Sequence, residues 1–505
     1  MTSNDEFDVL IIGSGPAGAT YARTIGDALP AARILMVEVG PAIPGPRGEH
    51  TQNMADADRT AAQLLTQGPD SGIERAAALA DIAPGIDPSL EFRQTILPGL
   101  FFLDPRPTLA DGEAGLPAAS MASGIGGMGI HWGTSCPRPH QSERIPFIAD
   151  DSLDAALDHA EQLLGVTKIH DGAGLITAMR KAMADEFNGP GLAPVEFGAS
   201  ATHRADDRLV FSGTGVILGE LEQTVPGFEL RAETLARRVL VEDGTAVGAE
   251  LQDRRSGAVY QVSAARVVVC ADGLRTPQVL FASGIRPRAL GHHLNEHFQM
   301  TAFLMLADEF DPARYPLDDE NLAGVRIPFS DARPMQGGVV TLANSPYKVE
   351  LGEDLPISRL GVVVWYAAKD IQFSDAVEFS DSETDFYGMP KMTIRYSHTA
   401  KDLATIESMR KNSVRSASRI GALTEEPTLA AGGSSLHYQG TVRMGASNDG
   451  ESVCDPYLRV WEIDHLYVGG NGVIPTSTAA NPTLTMVALA WRAANQLVQE
   501  LGGTE

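Results

Sequence analysis

The sequence contains very little cysteine. Among its 505 residues only Cys136, Cys270 and Cys454 occur, at wide spacings. An odd and sparse set excludes a disulfide framework, and without a CxxC pair nothing indicates a structural metal site. We therefore predict a protein of a reducing, cytoplasmic compartment.

Long apolar runs and a targeting signal are also missing. The first residues, MTSNDEFDVLIIG, lack a basic region followed by a long apolar stretch and a cleavage site. No run approaches the length that a helix needs to span a bilayer. We expect no membrane partner.

Basic residues are scarce relative to acidic ones. The chain has 39 Lys and Arg against 65 Asp and Glu, a net charge of −26. Phosphates would be repelled, so the balance argues against nucleic acid and anionic membrane surfaces, and it mainly serves solubility. The length exceeds what one core usually reaches, which predicts two domains or one elaborated domain.

A dinucleotide-binding pattern stands at the amino terminus. An apolar run, Phe7–Ile12, leads into the glycine loop Gly13-Ser14-Gly15-Pro16-Ala17-Gly18, a helical stretch, a second run Ile34–Val37, and then Glu38. This order of strand, glycine turn, helix, strand and acid is typical of a Rossmann-type site. The pattern by itself does not separate NAD from FAD.

Each part of this pattern has a physical task. Gly13 permits the tight turn, Gly15 lets a pyrophosphate approach the helix N-terminus, and Gly18 lets helix and strand pack closely. The loop residues Pro16 and Ala17 belong to the same predicted site. The Glu38 carboxylate can accept hydrogen bonds from a ribose hydroxyl and would repel a 2′-phosphate.

The rest of the chain predicts an α/β, two-domain architecture of the α+β kind. A discontinuous Rossmann-like dinucleotide-binding domain takes residues 1–45, 115–140, 200–297 and 431–505; the resemblance described next implies that it binds FAD. Residues 46–114 form an excursion or lid, with one helix predicted near 72–82. An antiparallel sheet with helices, over 141–199 and 298–430, forms the substrate domain.

Five motifs in order resemble the glucose-methanol-choline (GMC) oxidoreductases, which oxidise alcohols with FAD. They are GSGPAG at 13–18, GGMGIHWG at 126–133, VVVCADGLRTPQVLFASGI at 267–285, LGHHLNEHF at 290–298, and the carboxyl-terminal block with SLHYQGTVRMG at 435–445 and LYVGGNGVI…ANPTLT at 466–485. Within the family the sequence is most similar to pyranose oxidases and bacterial glycoside 3-oxidases.

The resemblance gives the stretch GGMGIHWG a place beside the flavin. In pyranose oxidases the histidine before tryptophan can bond covalently to the flavin 8α-methyl, and His131 occupies that position. A histidine that only packs on the ring edge is the equal alternative. Gly133 follows Trp132 where fungal pyranose oxidases carry a threonine near flavin N5, so the resemblance does not carry over the contact at N5.

The resemblance assigns the catalytic pair to His437 and Asn481. His437 would take the proton of the substrate hydroxyl, since neutral imidazole titrates near working pH. Asn481 would hydrogen-bond the same oxygen, and before Pro482 it also reads as the N-cap of a helix whose positive end favours an anionic reduced flavin.

The remaining cofactor contacts follow from the same resemblance, with Val239 meeting the adenine and Asn471 the phosphates and ribityl chain. The further predicted contacts are Gly127, Met128, Ala271, Gly472, Pro482 and Thr483. His293 and His297 have i,i+4 spacing, but the resemblance makes LNEHF a structural segment, and we predict no metal.

The expected reaction is oxidation of a secondary hydroxyl of a pyranose ring to a ketosugar. Hydride goes to flavin N5, and oxygen is reduced to hydrogen peroxide. The preferred substrates are glycosides, including C-glycosides, at C3. The alternatives are a pyranose 2-oxidase acting on free glucose, a sugar dehydrogenase with a quinone acceptor and, more remotely, a lyase on the same fold. The partners are a sugar or glycoside and oxygen; the oligomeric state stays open.

Overall fold

The computed structural model describes residues 6–66, 100–102, 115–168, 174–205, 208–315, 324–341 and 359–502. The helices in these ranges are α1 Pro16–Ala28, α2 Asp56–Leu65, α3 Asp150–Leu164, α4 Gly174–Phe187, α5 Thr214–Leu218, α6 Leu221–Thr224, α7 Arg275–Ala282, α8 Ala400–Ile420 and α9 Thr483–Gly502. The helix predicted near 72–82, and most of the predicted excursion, lie outside the described residues.

The strands in these ranges are β1 Glu6–Ile12, β2 Ile34–Val37, β3 Leu100–Phe102, β4 Ser120–Ala122, β5 Thr167–Lys168, β6 Glu196–Phe197, β7 Ala199–Ser200, β8 Thr202–Ala205, β9 Arg208–Phe211, β10 Phe228–Arg231, β11 Thr234–Glu242, β12 Thr245–Asp253, β13 Val259–Val269, β14 Phe298–Leu306, β15 Val325–Ile327, β16 Met335–Thr341, β17 Leu360–Ala367, β18 Ala376–Thr384, β19 Pro390–Arg395, β20 Gly421–Leu423, β21 Thr428–Leu429 and β22 Leu466–Val468.

The first sheet has the order β10-β2-β1-β13-β12-β11, with β22 also paired on β13. Strands β10, β2, β1, β13 and β22 are parallel, whereas β11 and β12 are antiparallel. Helices cover the central strands, and these strands are accordingly continuous apolar runs. Helix α1 packs between this sheet and α9. The mixed α/β class predicted from the sequence is confirmed.

The parallel strands of this sheet end together. Ile12 of β1 stands opposite Val37 of β2 on one side and Val269 of β13 on the other. The loops that follow these strands therefore emerge at one edge, which is where open α/β sheets bind ligands.

A second sheet is entirely antiparallel, in the order β20-β14-β17-β16-β15-β6 with β21 on β14. Helices α4 and α8 cover one face, where Trp365 and Met335 lie in the core. Side chains alternate along a strand, so their neighbours Tyr366 and Gln336, which pair across β16 and β17, lie on the opposite face. This second face is turned away from α4 and α8.

Helix α3 departs from the predicted domain boundaries. Leu153, Ala156 and Leu157 of this helix pack in the core of the first sheet, against α9. The segment was assigned to the substrate domain, because an amphipathic pattern shows that a helix face is buried but does not show against which sheet. The other boundaries stay predictions.

Among the described residues, no helix combines the length and the apolar character needed to cross a membrane.

Candidate active site

A cleft opens at the carboxyl edge of the first sheet. The glycine loop, the stretch 127–133, the turn after β13 and the loop 435–437 all contribute to its wall. The predicted site residues that line it are Gly13, Gly15, Pro16, Ala17, Glu38, Gly127, Met128, His131, Trp132, Gly133, Ala271, His437, Asn471 and Thr483.

The glycines of the loop have the separate geometric tasks that the pattern predicts. Gly13 has φ +104°, and a Cβ there would lie 2.3 Å from the carbonyl oxygen of Cys270. A Cβ on Gly18 would lie 2.1 Å from the Gly13 carbonyl oxygen, so Gly18 serves helix–strand packing and does not line the cleft. A Cβ on Gly15 would meet nothing within 4 Å, which leaves the start of α1 open to a phosphate.

Glu38 follows β2 and faces the cleft, but it also braces the glycine loop. Its Oε2 accepts hydrogen bonds from Ser14 Oγ (2.7 Å) and Ser14 N (3.2 Å), and its Oε1 accepts one from Gly40 N (3.0 Å). Burial raises the pKa of this carboxyl, whereas the hydrogen bonds lower it. The loop and its acidic residue thus form one rigid unit.

The glycine-rich stretch before His131 packs directly on the dinucleotide loop. A Cβ on Gly127 would lie 3.1 Å from Gly15 Cα, and one on Gly129 would lie 2.7 Å from the Pro16 ring. Close packing against the dinucleotide loop therefore accounts for Gly127 and Gly129 without a flavin. Gly133 is different, because a Cβ there would meet no atom within 4 Å.

His131 is held by one ring nitrogen and leaves the other without a partner. Thr66 Oγ1 donates to the Ala62 carbonyl (3.0 Å), so it accepts from His131 Nε2 (3.1 Å). The lone pair is then on Nδ1, which is buried and has no hydrogen-bond partner among the described residues. Burial lowers the pKa of His131 to about 3, so the ring is neutral.

The structure does not bring Val239 to the cleft. Its backbone N–H donates to Ser283 Oγ (2.8 Å), and Thr234, Leu235 and Ala236 of the same strand line the cleft instead. Within β11 it is therefore Thr234, Leu235 and Ala236, and not Val239, that lie where a cofactor in the cleft could be contacted. The apolar pattern marked the strand but not which end of it reaches the sheet edge.

Gly472 and Pro482 lie behind the cleft wall. A Cβ on Gly472 would lie 2.8 Å from Thr441 Oγ1, so this glycine serves packing. Pro482 is buried and immediately precedes α9, its carbonyl accepting the N–H of Met486 (2.8 Å). The helix begins one residue later than predicted, at Thr483, which lines the cleft.

His437 is presented by a strained and well-braced loop. The preceding residue, Leu436, has φ +62°, a conformation that costs free energy in a branched residue and is often found at functional sites. The buried Glu296 carboxylate holds the loop by accepting Gly433 N (2.5 Å) and Ser435 Oγ (2.7 Å). Burial lowers the pKa of His437 to about 4, so its ring is neutral at physiological pH.

His297 contacts His437, which the sequence analysis did not expect. Its Nε2 lies 2.7 Å from His437 Nδ1, and its Nδ1 lies 3.2 Å from the Thr478 carbonyl oxygen. The segment 293–297 is not helical, so His293 does not share a face with His297 and contacts Glu451 instead. The i,i+4 spacing was thus misleading, and His297 belongs to the site.

Asn481 is oriented by a second chain of polar side chains. Arg326 Nη1 donates to Gln336 Oε1 (2.8 Å), and Gln336 Nε2 donates to Asn481 Oδ1 (3.0 Å). A guanidinium can only donate hydrogen bonds, so Gln336 turns its oxygen toward Arg326 and its NH₂ group toward Asn481. Asn481 then accepts with Oδ1, and its own NH₂ group remains as a donor. Among the described residues, no amide of the first turn of α9 donates to Asn481 Oδ1, so the side chain does not act as an N-cap.

The two chains meet at Tyr366. Its ring centroid is 6.3 Å from that of His437, and the Asn481 side chain lies close enough to its hydroxyl to lower the pKa of that group, against the larger effect of burial. His437 lines the cleft, whereas Asn481 is not among the lining residues and lies next to them. His437 and Asn481 are therefore both neighbours of Tyr366, and we call the part of the cleft at these three residues its inner end.

Four buried polar residues of this site were missed by sequence reasoning: His297, Gln336, Arg326 and Glu143. Glu143 accepts the N–H groups of Ala479 and Ala480, both at 2.8 Å, and so fixes the turn before Asn481. One of the four could have been found from the sequence: Gln336 is a polar residue within the otherwise uncharged strand β16, on the face opposite the core residue Met335.

The residues present fit a flavin dinucleotide. Asn471 Oδ1 is buried without a partner among the described residues and lines the cleft, so it offers an acceptor to a hydroxyl of the cofactor. A Cβ on the neighbouring Gly470 would meet nothing within 4 Å. With the open Gly15 and the buried Glu38, the cleft provides for phosphates, ribose and ribityl chain along its length.

Comparison with known proteins assigns the class. Two family models, both described as GMC oxidoreductase, match residues 212–299 and 376–490. The chain is 43% identical to a C-glycoside 3-oxidase from Arthrobacter globiformis, over 98% of this chain and 95% of that one. This protein belongs to the GMC oxidoreductase family.

Two further similarities are more distant. A pyranose 2-oxidase from Tricholoma matsutake is 29% identical over 99% of this chain and 96% of its own. A solved structure of an Aspergillus oryzae formate oxidase superposes with a TM-score of 0.68 at 14% identity, over 99% of both chains, which supports the fold alone.

Proposed function

We propose that this protein is an FAD-dependent oxidase acting on a secondary hydroxyl of a pyranose ring, preferentially C3 of glycosides, including C-glycosides. The partners are then a small sugar or glycoside and oxygen. The proposal is supported by the similarity to a C-glycoside 3-oxidase over nearly the whole chain. It also depends on one observation in the site, the neutral His437 ring at the inner end of the cleft, with Nδ1 engaged and Nε2 remaining for a substrate.

In this mechanism His437 Nε2 removes the proton of the substrate hydroxyl. The Asn481 NH₂ group donates to the same oxygen and stabilises the charge that develops there. FAD, when bound, supplies the hydride acceptor and passes the two electrons to oxygen, giving hydrogen peroxide. The side chains of the protein thus position the sugar and hold the proton.

An anaerobic titration of the purified holoenzyme tests this proposal. Glucose, an O-glucoside and a C-glucoside are added separately, and loss of the flavin absorption is followed. We expect bleaching with at least one glycoside, with NMR of the product placing the ketone at C3. Absence of bleaching by every sugar contradicts the proposal and would favour a lyase.

The second candidate is a pyranose 2-oxidase, which the similarity to the Tricholoma matsutake enzyme favours. It predicts bleaching by free glucose and a ketone at C2. A peroxide yield near one per sugar under air supports an oxidase, whereas a low yield restored by an added quinone would support a dehydrogenase.

We further propose that His131 contacts the flavin through Nδ1, the ring nitrogen without a partner. Acid precipitation of the holoenzyme distinguishes a covalent bond from packing. Yellow colour stays in the pellet if the bond forms, and it stays in the supernatant if the ring only packs.

A further inference from the structure

We propose that His297 is a positioning residue that fixes the tautomer of His437, so that Nε2 is the basic nitrogen facing the substrate. This inference rests on the proposed function, since it assumes that His437 is the base. It follows from the direction of two successive hydrogen bonds, from His437 to His297 and from His297 to Thr478.

The direction begins at a backbone carbonyl. The Thr478 oxygen can only accept, so His297 Nδ1 carries the hydrogen of the 3.2 Å contact. A neutral imidazole has one N–H, which leaves His297 Nε2 as an acceptor. Burial lowers the pKa of His297 well below its usual value, in keeping with a neutral ring.

The contact between His297 and His437 has its donor and acceptor fixed in the same way. At 2.7 Å from His297 Nε2, His437 Nδ1 must donate, so Nδ1 carries the only hydrogen of that ring. The lone pair of His437 is therefore on Nε2. The opposite tautomer would place two lone pairs against each other at 2.7 Å inside the protein.

The partner of His437 is unusual for a catalytic histidine because it is neutral. When the substrate O–H bond breaks and an N–H bond forms at His437 Nε2, the positive charge on His437 is stabilised by the His297 Nε2 lone pair. The His297 Nδ1–H bond to Thr478 is unchanged in this step. A carboxylate in that position would stabilise the charge more strongly.

The two amide replacements of His297 give a matched test. The amide of Gln reaches as far as Nε2 and can accept from His437, whereas the amide of Asn reaches only as far as Nδ1, toward Thr478. We expect H297Q to reduce its flavin with sugar within about 5-fold of the unchanged enzyme. We expect H297N to be slower by roughly 10- to 100-fold, with the apparent substrate Kd changed less than about 3-fold.

A control variant separates this effect from general disturbance. His292 lies on the same segment, stacks on Phe373 at 4.0 Å and binds the Phe373 carbonyl, outside the site. We expect H292Q to match the unchanged enzyme. Equal rates in H297N and H297Q would overturn the inference while leaving the proposed function intact. If H437A is reduced at the normal rate, by contrast, it is the proposed function that fails.

A second measurement determines the tautomer in the unaltered holoenzyme, and a variant serves only to assign the signals. Two-bond proton–nitrogen spectra of protein with ¹⁵N-labelled histidine report which ring nitrogen is protonated, and H437A identifies the signals. We expect hydrogen on Nδ1 and none on Nε2 of His437. Hydrogen on Nε2 would overturn the inference.

Discussion

Two chains of hydrogen bonds lead to the inner end of the cleft. One ends in a hydrogen-bond acceptor and the other in a hydrogen-bond donor. The chain from Thr478 through His297 ends in a lone pair on His437. The chain from Arg326 through Gln336 ends in the NH₂ group of Asn481. The difference originates at the far ends, because a carbonyl can only accept and a guanidinium can only donate. An alcohol presents both a proton to remove and an oxygen to stabilise, so it needs both chain ends.

Removing the end of the first chain is the strongest test of this comparison. We expect H437A to keep its FAD but to lose roughly 10²- to 10⁴-fold in the limiting rate of anaerobic flavin reduction by sugar. Stopped-flow absorbance measures this rate, and the flavin spectrum checks cofactor content. A rate within a few-fold of the unchanged enzyme would remove His437 from the mechanism.

Removing the end of the second chain should have a somewhat smaller effect. N481A loses the donor that stabilises the developing charge, and we expect a fall of about 10²- to 10³-fold in the same rate. Reduction by an artificial donor such as dithionite should be unchanged. If dithionite reduction slows equally, Asn481 acts on the flavin environment and not on the substrate.

Reversing the direction of the second chain tests it without removing a side chain. Q336E still accepts from Arg326 but can no longer donate to Asn481, so the Asn481 amide turns its oxygen toward the substrate. We expect roughly a 10-fold loss in the reduction rate, with Q336M as the uncharged control. A loss in Q336M greater than that in Q336E would show that packing, not direction, is what Gln336 supplies.

The smallest expected effect is that of pH. It distinguishes the two hydrogen-bonded chains, because the first ends in a titratable side chain, His437, and the second ends in an amide, Asn481. Burial lowers the pKa of His437 to about 4, so the base is neutral above that value and protonated below it. We expect the limiting reduction rate to change less than about 2-fold between pH 5 and pH 8, and to fall as pH drops through 4. An acid limb near pH 6.5 would show that His437 is less buried in the holoenzyme than here.

The dinucleotide loop was predictable from sequence, and the inner end of the cleft was predictable only in part. Gly13, Gly15 and Gly18 lie within six positions, and a Cβ on Gly13 or Gly18 would clash with the backbone, so a short pattern specifies the loop. His437 and Asn481 were found by resemblance. His297 was assigned to a structural segment but contacts His437, and Val239 was assigned to the cofactor but does not line the cleft. In both cases the deciding contact is with a distant part of the chain.

The sequence by itself determined the local chemistry. It specified a strand, a glycine turn and an acid at the right distances, a histidine able to accept a proton and an asparagine able to donate a hydrogen bond. What only the tertiary structure decided is direction. Thr478 and His297 are 181 positions apart, and His297 and His437 are 140 apart. A histidine or an amide has no preferred orientation until such a partner supplies a fixed donor or acceptor, and that partner is brought near by folding.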